Sequence, residues 1–295
     1  MKPIKIIALI IIGLFAIVLI MRCGNDYVEH IETNSEIVSQ ELFDSICQTE
    51  EILLDTDSLS VDDNDTISLE IPRFSCPTTE QILKRTGYTC SYNQNTRNAN
   101  WVAWHLTKNH ADGPWSRKGI PYIEDADVVG AKQELSDWYN HKLNIDHGHL
   151  CPAADNEWDK EAMIESFLLT NMCPQNSNLN QNVWETLESR CRGWARHYGE
   201  VYIVAGPIFY NNNYKTIGSN KVGVPDAFYK VVLCMADKPK ALGFIFPNED
   251  PKSQNIKDYM CSVDEVENIT KIDFFYILDD NIENDIEAIS NLNIW

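Results

Sequence analysis

The sequence predicts an α+β domain built on a largely antiparallel sheet, and three observations carry that reading. Tyr88-Thr-Cys-Ser-Tyr92 and Trp101-Val-Ala-Trp-His105 alternate like two strands joined by an Asn-rich turn. Val201-Tyr-Ile-Val-Ala205, Phe228-Tyr-Lys-Val-Val-Leu233 and Ala241-Leu-Gly-Phe-Ile-Phe246 are apolar strand-like runs separated by Gly, Pro and Asn. Between these groups, Asn178–Tyr198 starts polar and stops at Gly199. It sets Val183, Trp184, Leu187, Cys191 and Trp194 at helical spacing. Leu143–Asp146 reads as a short extended piece leading into a turn at Gly148, and helices are expected at Ile256–Cys261 and around Ile282–Ile289. No internal repeat is present.

The chain has 295 residues, of which 44% are apolar, enough for one large core or two small ones. Its formal charge of −20 argues against a polyanion ligand until the distribution is considered. Residues 24–71 hold 14 Asp or Glu and no Lys or Arg, and residues 262–295 hold 9 against Lys271. The middle, 72–261, carries 20 basic and 21 acidic residues. A nearly neutral domain with a local basic cleft can bind a polyanion, so net charge does not exclude that class.

Residues 6–21 form an unbroken apolar run of 16 behind Lys2 and Lys5. As a helix it would span ~24 Å at ~1.5 Å per residue, short of a ~30 Å hydrocarbon core. That length suits a signal anchor or the apolar region of a signal peptide. Arg22 before Cys23 fits neither small-residue cleavage nor lipidation. The expected organisation is a signal anchor or signal peptide over 1–22, an acidic flexible spacer over 23–72 and a globular domain over 73–295. The chain would be exported and tethered to a membrane through residues 6–21, or secreted. Eight cysteines beyond Cys23 suit an oxidising compartment, and no CxxC pair suggests a structural zinc finger.

The chemistry concentrates in Asn144-Ile-Asp-His-Gly-His-Leu-Cys-Pro-Ala-Ala-Asp155, then Thr170-Asn-Met-Cys-Pro-Gln175, then Leu179-Asn-Gln-Asn-Val-Trp-Glu-Thr-Leu-Glu188. His149 is a candidate general base, since an imidazole can deprotonate water near neutrality. Asp146, three residues earlier across Gly148, could meet that imidazole if the chain turns tightly. Positions 180, 184, 188 and 192 advance by four, with about 40° of drift per step, which puts Asn180, Glu188 and Arg192 on one broad stripe. A helix cap at Asn180 and a routine surface pair at Glu188 and Arg192 are the plainer alternatives. His147, His149 and Cys151 alternate, and on a regular strand they would share a face and could chelate zinc.

These three blocks, in this order, resemble the DNA/RNA non-specific endonuclease family, whose fold is the ββα-metal (His-Me finger) nuclease. Asn100-Trp-Val-Ala-Trp104, Ala205-Gly-Pro207, Val224-Pro-Asp-Ala-Phe-Tyr-Lys230, Phe246-Pro-Asn248 and Asp273-Phe-Phe275 extend the likeness over about 73–295. The resemblance implies cleavage of DNA and RNA with little sequence preference, leaving 5′-phosphate ends. It implies His149 as base and Asn180 as a ligand of Mg²⁺, with Mn²⁺ as a substitute. Glu188 would hold a metal-bound water, Arg117 (or the adjacent Lys118) and Arg192 would meet the phosphate, and Asn171 would orient the site. A homodimer and an inhibitor protein stay open. A degraded surface protein that binds nucleic acid or another partner is the alternative, because His147 stands where the family carries Arg. Cys151 and Cys173 fall where relatives often carry small residues, which suggests a disulfide beside the site.

Overall fold

The computed structural model describes residues 68–139 and 141–295. The leader and most of the acidic spacer expected from the sequence lie outside the described residues. Within them, Leu69 and Ile71 already pack against the core, a few residues before the expected start at 73.

In chain order the strands are β1 (Arg73–Phe74), β2 (Gln81–Lys84), β3 (Thr89–Asn93), β4 (Asn98–Thr107), β5 (Ile145–His149), β6 (Met172–Asn176) and β7 (Glu200–Ile208). After these come β8 (Thr216–Ile217), β9 (Val222–Gly223), β10 (Ala227–Cys234), β11 (Lys240–Pro247), β12 (Met260–Cys261) and β13 (Ile272–Asp273). The helices are α1 (Lys160–Glu165), α2 (Glu185–Tyr198), α3 (Val263–Thr270) and α4 (Asp280–Glu287). A short turn of helix, Ser177–Leu179, and a π-helical turn, Asn180–Trp184, run directly into α2.

Seven strands form one antiparallel sheet in the order β12-β11-β10-β7-β4-β3-β2. The expected strands and the helix expected over Asn178–Tyr198 are present. The central ones read as near-continuous apolar runs because both faces of the sheet are covered. On one face, α2 lays Leu187, Cys191 and Ala195 over Val102, Ile203, Phe228 and Phe244. On the other, α3 and α4 contribute Val263, Val266 and Ile286 to a core with Val204, Tyr229 and Val231. Gly199 ends α2 at φ 97°, donating its N–H to Ala195, a backbone state that favours glycine.

Two local expectations are corrected. Ile256–Tyr259 is a single 3₁₀ turn leading into β12 rather than a helix to Cys261. Gly148 makes no turn. It lies inside β5 opposite Cys173 of β6, where a Cβ would collide with the Gln175 side chain, so glycine leaves the room that side chain occupies.

Candidate functional site

The β5–β6 hairpin and the helical segment beginning at Ser177 form a ββα unit on the α2 face of the sheet. Its open cavity, about 450 Å³, is lined by Arg117, Tyr122, Asp146, His147, His149, Asn180, Glu188 and Arg192 among others. The sequence-predicted groups thus converge, Asn171 and Lys118 excepted.

His149, at the end of β5, is 9% exposed, and its Nε2 has no hydrogen-bond partner. The ring packs edge-on against Phe167 at 5.1 Å. Burial first, then the charges of Arg117 and His147, hold its pKa down to about 3 against a hydrogen bond to the His147 backbone. A neutral imidazole bonded through its other nitrogen leaves Nε2 as an unengaged acceptor in a residue that lines the cavity.

Asp146 does not approach His149 as the tight-turn reading required, because β5 is extended and residues three apart point to opposite sides. Its carboxylate instead accepts from Ser177 Oγ at 2.7 Å, Asn180 Nδ2 at 3.0 Å and Gln181 Nε2 at 2.8 Å. Burial pushes its pKa up, but these three donors and the neighbouring His147 outweigh that and hold it below the usual carboxylate range. With its amide nitrogen engaged, Asn180 has its carbonyl oxygen left to offer the cavity.

The π-helical turn explains why Asn180 and Glu188 share the cavity. A wide turn advances fewer degrees per residue, which offsets the drift of about 40° per four residues in a regular helix. Glu188 is half-buried. Burial raises its pKa to about 7; Asp155 adds to this, while Lys230 and Arg192 oppose it. Arg192 is anchored by Asp155, its Nη1 donating to Oδ1 at 2.8 Å, and by Ser189 Oγ at 3.0 Å. Asp155 also accepts from Trp104 Nε1 at 3.0 Å. The sequence reading assigned Asp155 no role, although it closes the first motif. Lys230 was also missed: it is fully buried, with Nζ 4.4 Å from the centre of the Trp184 ring and 5.2 Å from that of Trp104.

Arg117 reaches the cavity from the loop before Tyr122, its guanidinium 5.5 Å from the centre of the Phe167 ring. Asn171 lies outside the cavity. It is fully buried, accepts from the Cys151 N–H at 2.9 Å and donates to the Cys151 and Ser166 carbonyls at 2.8 Å each, which pins the chain just past His149.

His147 departs most from expectation. It is stacked between Tyr122, centroids 4.0 Å apart, and Trp138 at 3.9 Å. Burial lowers its pKa to about 4, more than the adjacent Asp146 restores. It is therefore neutral at physiological pH and brings no permanent charge to a phosphate. The zinc alternative also fails: among the described residues, the one group of three such side chains with ligand atoms within 4.8 Å is Asp264, Glu267 and Glu287. The proposed disulfide is absent, since Cys151 and Cys173 are both free. Asn156 Nδ2 donates to Cys151 Sγ at 3.3 Å, whereas the Cys173 thiol donates to Asn98 Oδ1 at 3.1 Å. Each thiol is thus committed to a different buried amide.

An antiparallel sheet, a ββα unit beside it and this donor set define a protein of the ββα-metal nuclease fold. The family model for DNA/RNA non-specific endonuclease matches residues 66–281, and the chain belongs to that family. It is 34% identical to human mitochondrial Endonuclease G over 57% of this chain and 59% of that one. It is 33% identical to Nuclease C1 of Cunninghamella echinulata var. echinulata, over 75% of this chain and 93% of that one. An EndoG/EndoGI complex, described in terms of EndoG inhibition, superimposes with a TM-score of 0.64 at 25% identity, covering 69% of this chain and 89% of that one. The chain spans about three fifths of the length of human and bovine Endonuclease G (59% and 63%).

These comparisons correct the expected location. Endonuclease G of Bos taurus and Homo sapiens and Nuclease EXOG of Mus musculus are mitochondrial, which overturns the reading of an exported, membrane-anchored protein. No helix among the described residues is long and apolar enough to cross a membrane. Residues 6–21, which carried that reading, lie outside them.

Proposed function

We propose that the chain is a metal-dependent endonuclease that hydrolyses phosphodiester bonds of DNA and RNA with little sequence preference and leaves 5′-phosphate ends. The observation that supports this reading is that His149, whose Nε2 is buried without a hydrogen-bond partner, lines the same cavity as Asn180, Glu188, Arg117 and Arg192. His149 takes the proton of the attacking water at Nε2. Its other ring nitrogen, bonded to the His147 backbone, keeps the tautomer fixed. Arg117 and Arg192 offset the charge that builds on the phosphoryl oxygens, and the Asp155 carboxylate holds the Arg192 fork in place.

The donor set fits a hard cation. Asn180 offers an amide oxygen and Glu188 a carboxylate, and oxygen ligands in an open cavity suit Mg²⁺, with Mn²⁺ as a substitute. When bound, such an ion supplies positive charge beside the reacting phosphate. Asp146 is a positioning residue here: by taking the Asn180 amide N–H it leaves the Asn180 oxygen as the group that would hold the ion.

Digestion of plasmid DNA and of RNA by the purified chain in Mg²⁺, with and without EDTA, tests the proposal. Cleavage of both substrates that EDTA abolishes is expected. Failure to cut either substrate in Mg²⁺ or Mn²⁺ would overturn it in favour of a binding protein.

A further inference from the structure

The acidic C-terminal stretch folds on the face of the sheet opposite the nuclease cavity, where its core residues are Val263, Val266, Ile272 and Ile286. Asp264 and Glu267 are three apart on α3, and Glu283 and Glu287 are four apart on α4. Such spacings put like charges on one face of each helix, which weakens a helix unless something offsets them. The two faces meet: carboxylate oxygens of Asp264, Glu267 and Glu287 all lie within 4.8 Å of one another.

Surface acidic clusters are common, but this one is not simply solvated. Glu287 is 4% exposed, and its Oε1 is buried without a hydrogen-bond partner. Glu283 Oε1 is buried and unpartnered as well. Glu267 accepts a single bond, from the Phe274 N–H at 2.7 Å. Arg73, the basic side chain seen paired in this region, is bound to Asp273 at 2.8 Å. A carboxylate taken out of water with neither donor nor cation costs several kcal/mol or gives up its charge. In keeping with that, burial and then Glu267, Glu283, Asp264 and Asp273 raise the Glu287 pKa to about 9.

We propose that Asp264, Glu267 and Glu287, backed by Glu283, form a second cation site that takes Ca²⁺ and fastens α3 and α4 over the sheet. The ligand atoms are all oxygen, which excludes the softer metals as preferred guests. Several carboxylates that can bind through one or both oxygens suit the larger, more flexible shell of Ca²⁺ better than the strict octahedron of Mg²⁺. The site shares no residue with the nuclease cavity, so its role is to hold the C-terminal helices rather than to cut.

The test uses the full chain stripped with chelator and carrying Asn180→Ala, so that the nuclease cavity no longer competes for the ion. Calorimetric titration with CaCl₂ should show one Ca²⁺ bound per chain, and the thermal midpoint should rise with Ca²⁺ more than with Mg²⁺ at matched ionic strength. Adding Glu287→Gln should weaken binding at least ~10-fold and remove that rise. The half-exposed change Asp264→Asn makes the same comparison if the buried one does not fold. With Asn180 intact, Glu287→Gln should cut plasmid in Mg²⁺ at the parental rate. No bound Ca²⁺, or an affinity unchanged by both carboxylate substitutions, overturns the site. So does a midpoint that ignores Ca²⁺ and rises on acidification, which would mean that the carboxyls share protons instead.

Discussion

Asp146 Oδ2 accepts the Asn180 amide at 3.0 Å, and the same carboxylate takes donors from Ser177 and Gln181, so a residue of β5 fixes the first turn of the segment that leads into α2. The amide of Asn180 can present either its oxygen or its nitrogen to the cavity, and the acceptor-only carboxylate decides which. Asp146→Asn removes that preference while keeping the shape. Initial rates across a Mg²⁺ series should show activity down ~10–100-fold with a higher Mg²⁺ requirement. A rate and Mg²⁺ dependence equal to those of the parent would show that Asn180 needs no such partner.

His149→Ala should fold normally and lose ~10²–10⁴-fold in rate, the usual contribution of a general base. The pH profile is more discriminating. With its pKa held down to about 3 by burial, Arg117 and His147, the free-protein imidazole is already neutral well below pH 6.5. The acid limb of kcat/KM should therefore fall clearly below the ordinary histidine range. An acid limb centred near pH 6.5 would mean that the ring is solvated when substrate arrives.

The two histidines should also make the fold acid-sensitive. Both pKa values are lower in the folded chain, about 3 for His149 and about 4 for His147, than the ordinary 6.5 or so of an unfolded chain. Below pH 6.5 the unfolded state binds protons that the folded state refuses, so this contribution is complete above pH 6.5 and is lost as pH falls through about 4 for His147 and about 3 for His149. His147→Phe keeps an aromatic ring between Tyr122 and Trp138 and removes one such site. Thermal midpoints from pH 8 to pH 4 should then drop less steeply than those of the parent. Identical slopes would place the acid sensitivity elsewhere.

Much of the cavity was legible in the sequence because its groups lie in short blocks whose order resembles a known family. Apolar runs bounded by Gly, Pro and Asn marked the central strands, which are buried on both faces, and helical spacing marked α2 because it buries one apolar face. What could not be read were relations across the chain. The partner of Asp146 lies 34 residues away on another element, and simple proximity suggested His149 instead. The aromatic rings around His147 come from Tyr122 and Trp138, in segments with no periodicity to mark them. Helix α1, only 6 residues long, is too short to show a helical repeat, and α3 also went unread. Cys151 and Cys173 looked matched by their distance from the motifs, yet their thiols face Asn156 and Asn98.

The Arg192–Asp155 pair gives the last prediction. Asp155 is 3% exposed, its partner's side chain 13%, and the bond between them is 2.8 Å. Burial raises the Asp155 pKa, and Arg192, Lys230 and Trp104 oppose it without restoring the ordinary value. Substituting one member of such a pair leaves the other charge buried, which costs ~3–5 kcal/mol. Asp155→Asn should therefore lower stability by roughly that amount in urea unfolding, while keeping an oxygen for Trp104 Nε1. It should also free the Arg192 fork and reduce cleavage. Arg192→Lys preserves the charge but loses the planar fork, so it should remain nearer to parental stability yet cut slowly. If Asp155→Asn matched the parent in both unfolding and cleavage, Arg192 would be held by the cavity walls alone, and Asp155 would have no part in positioning it.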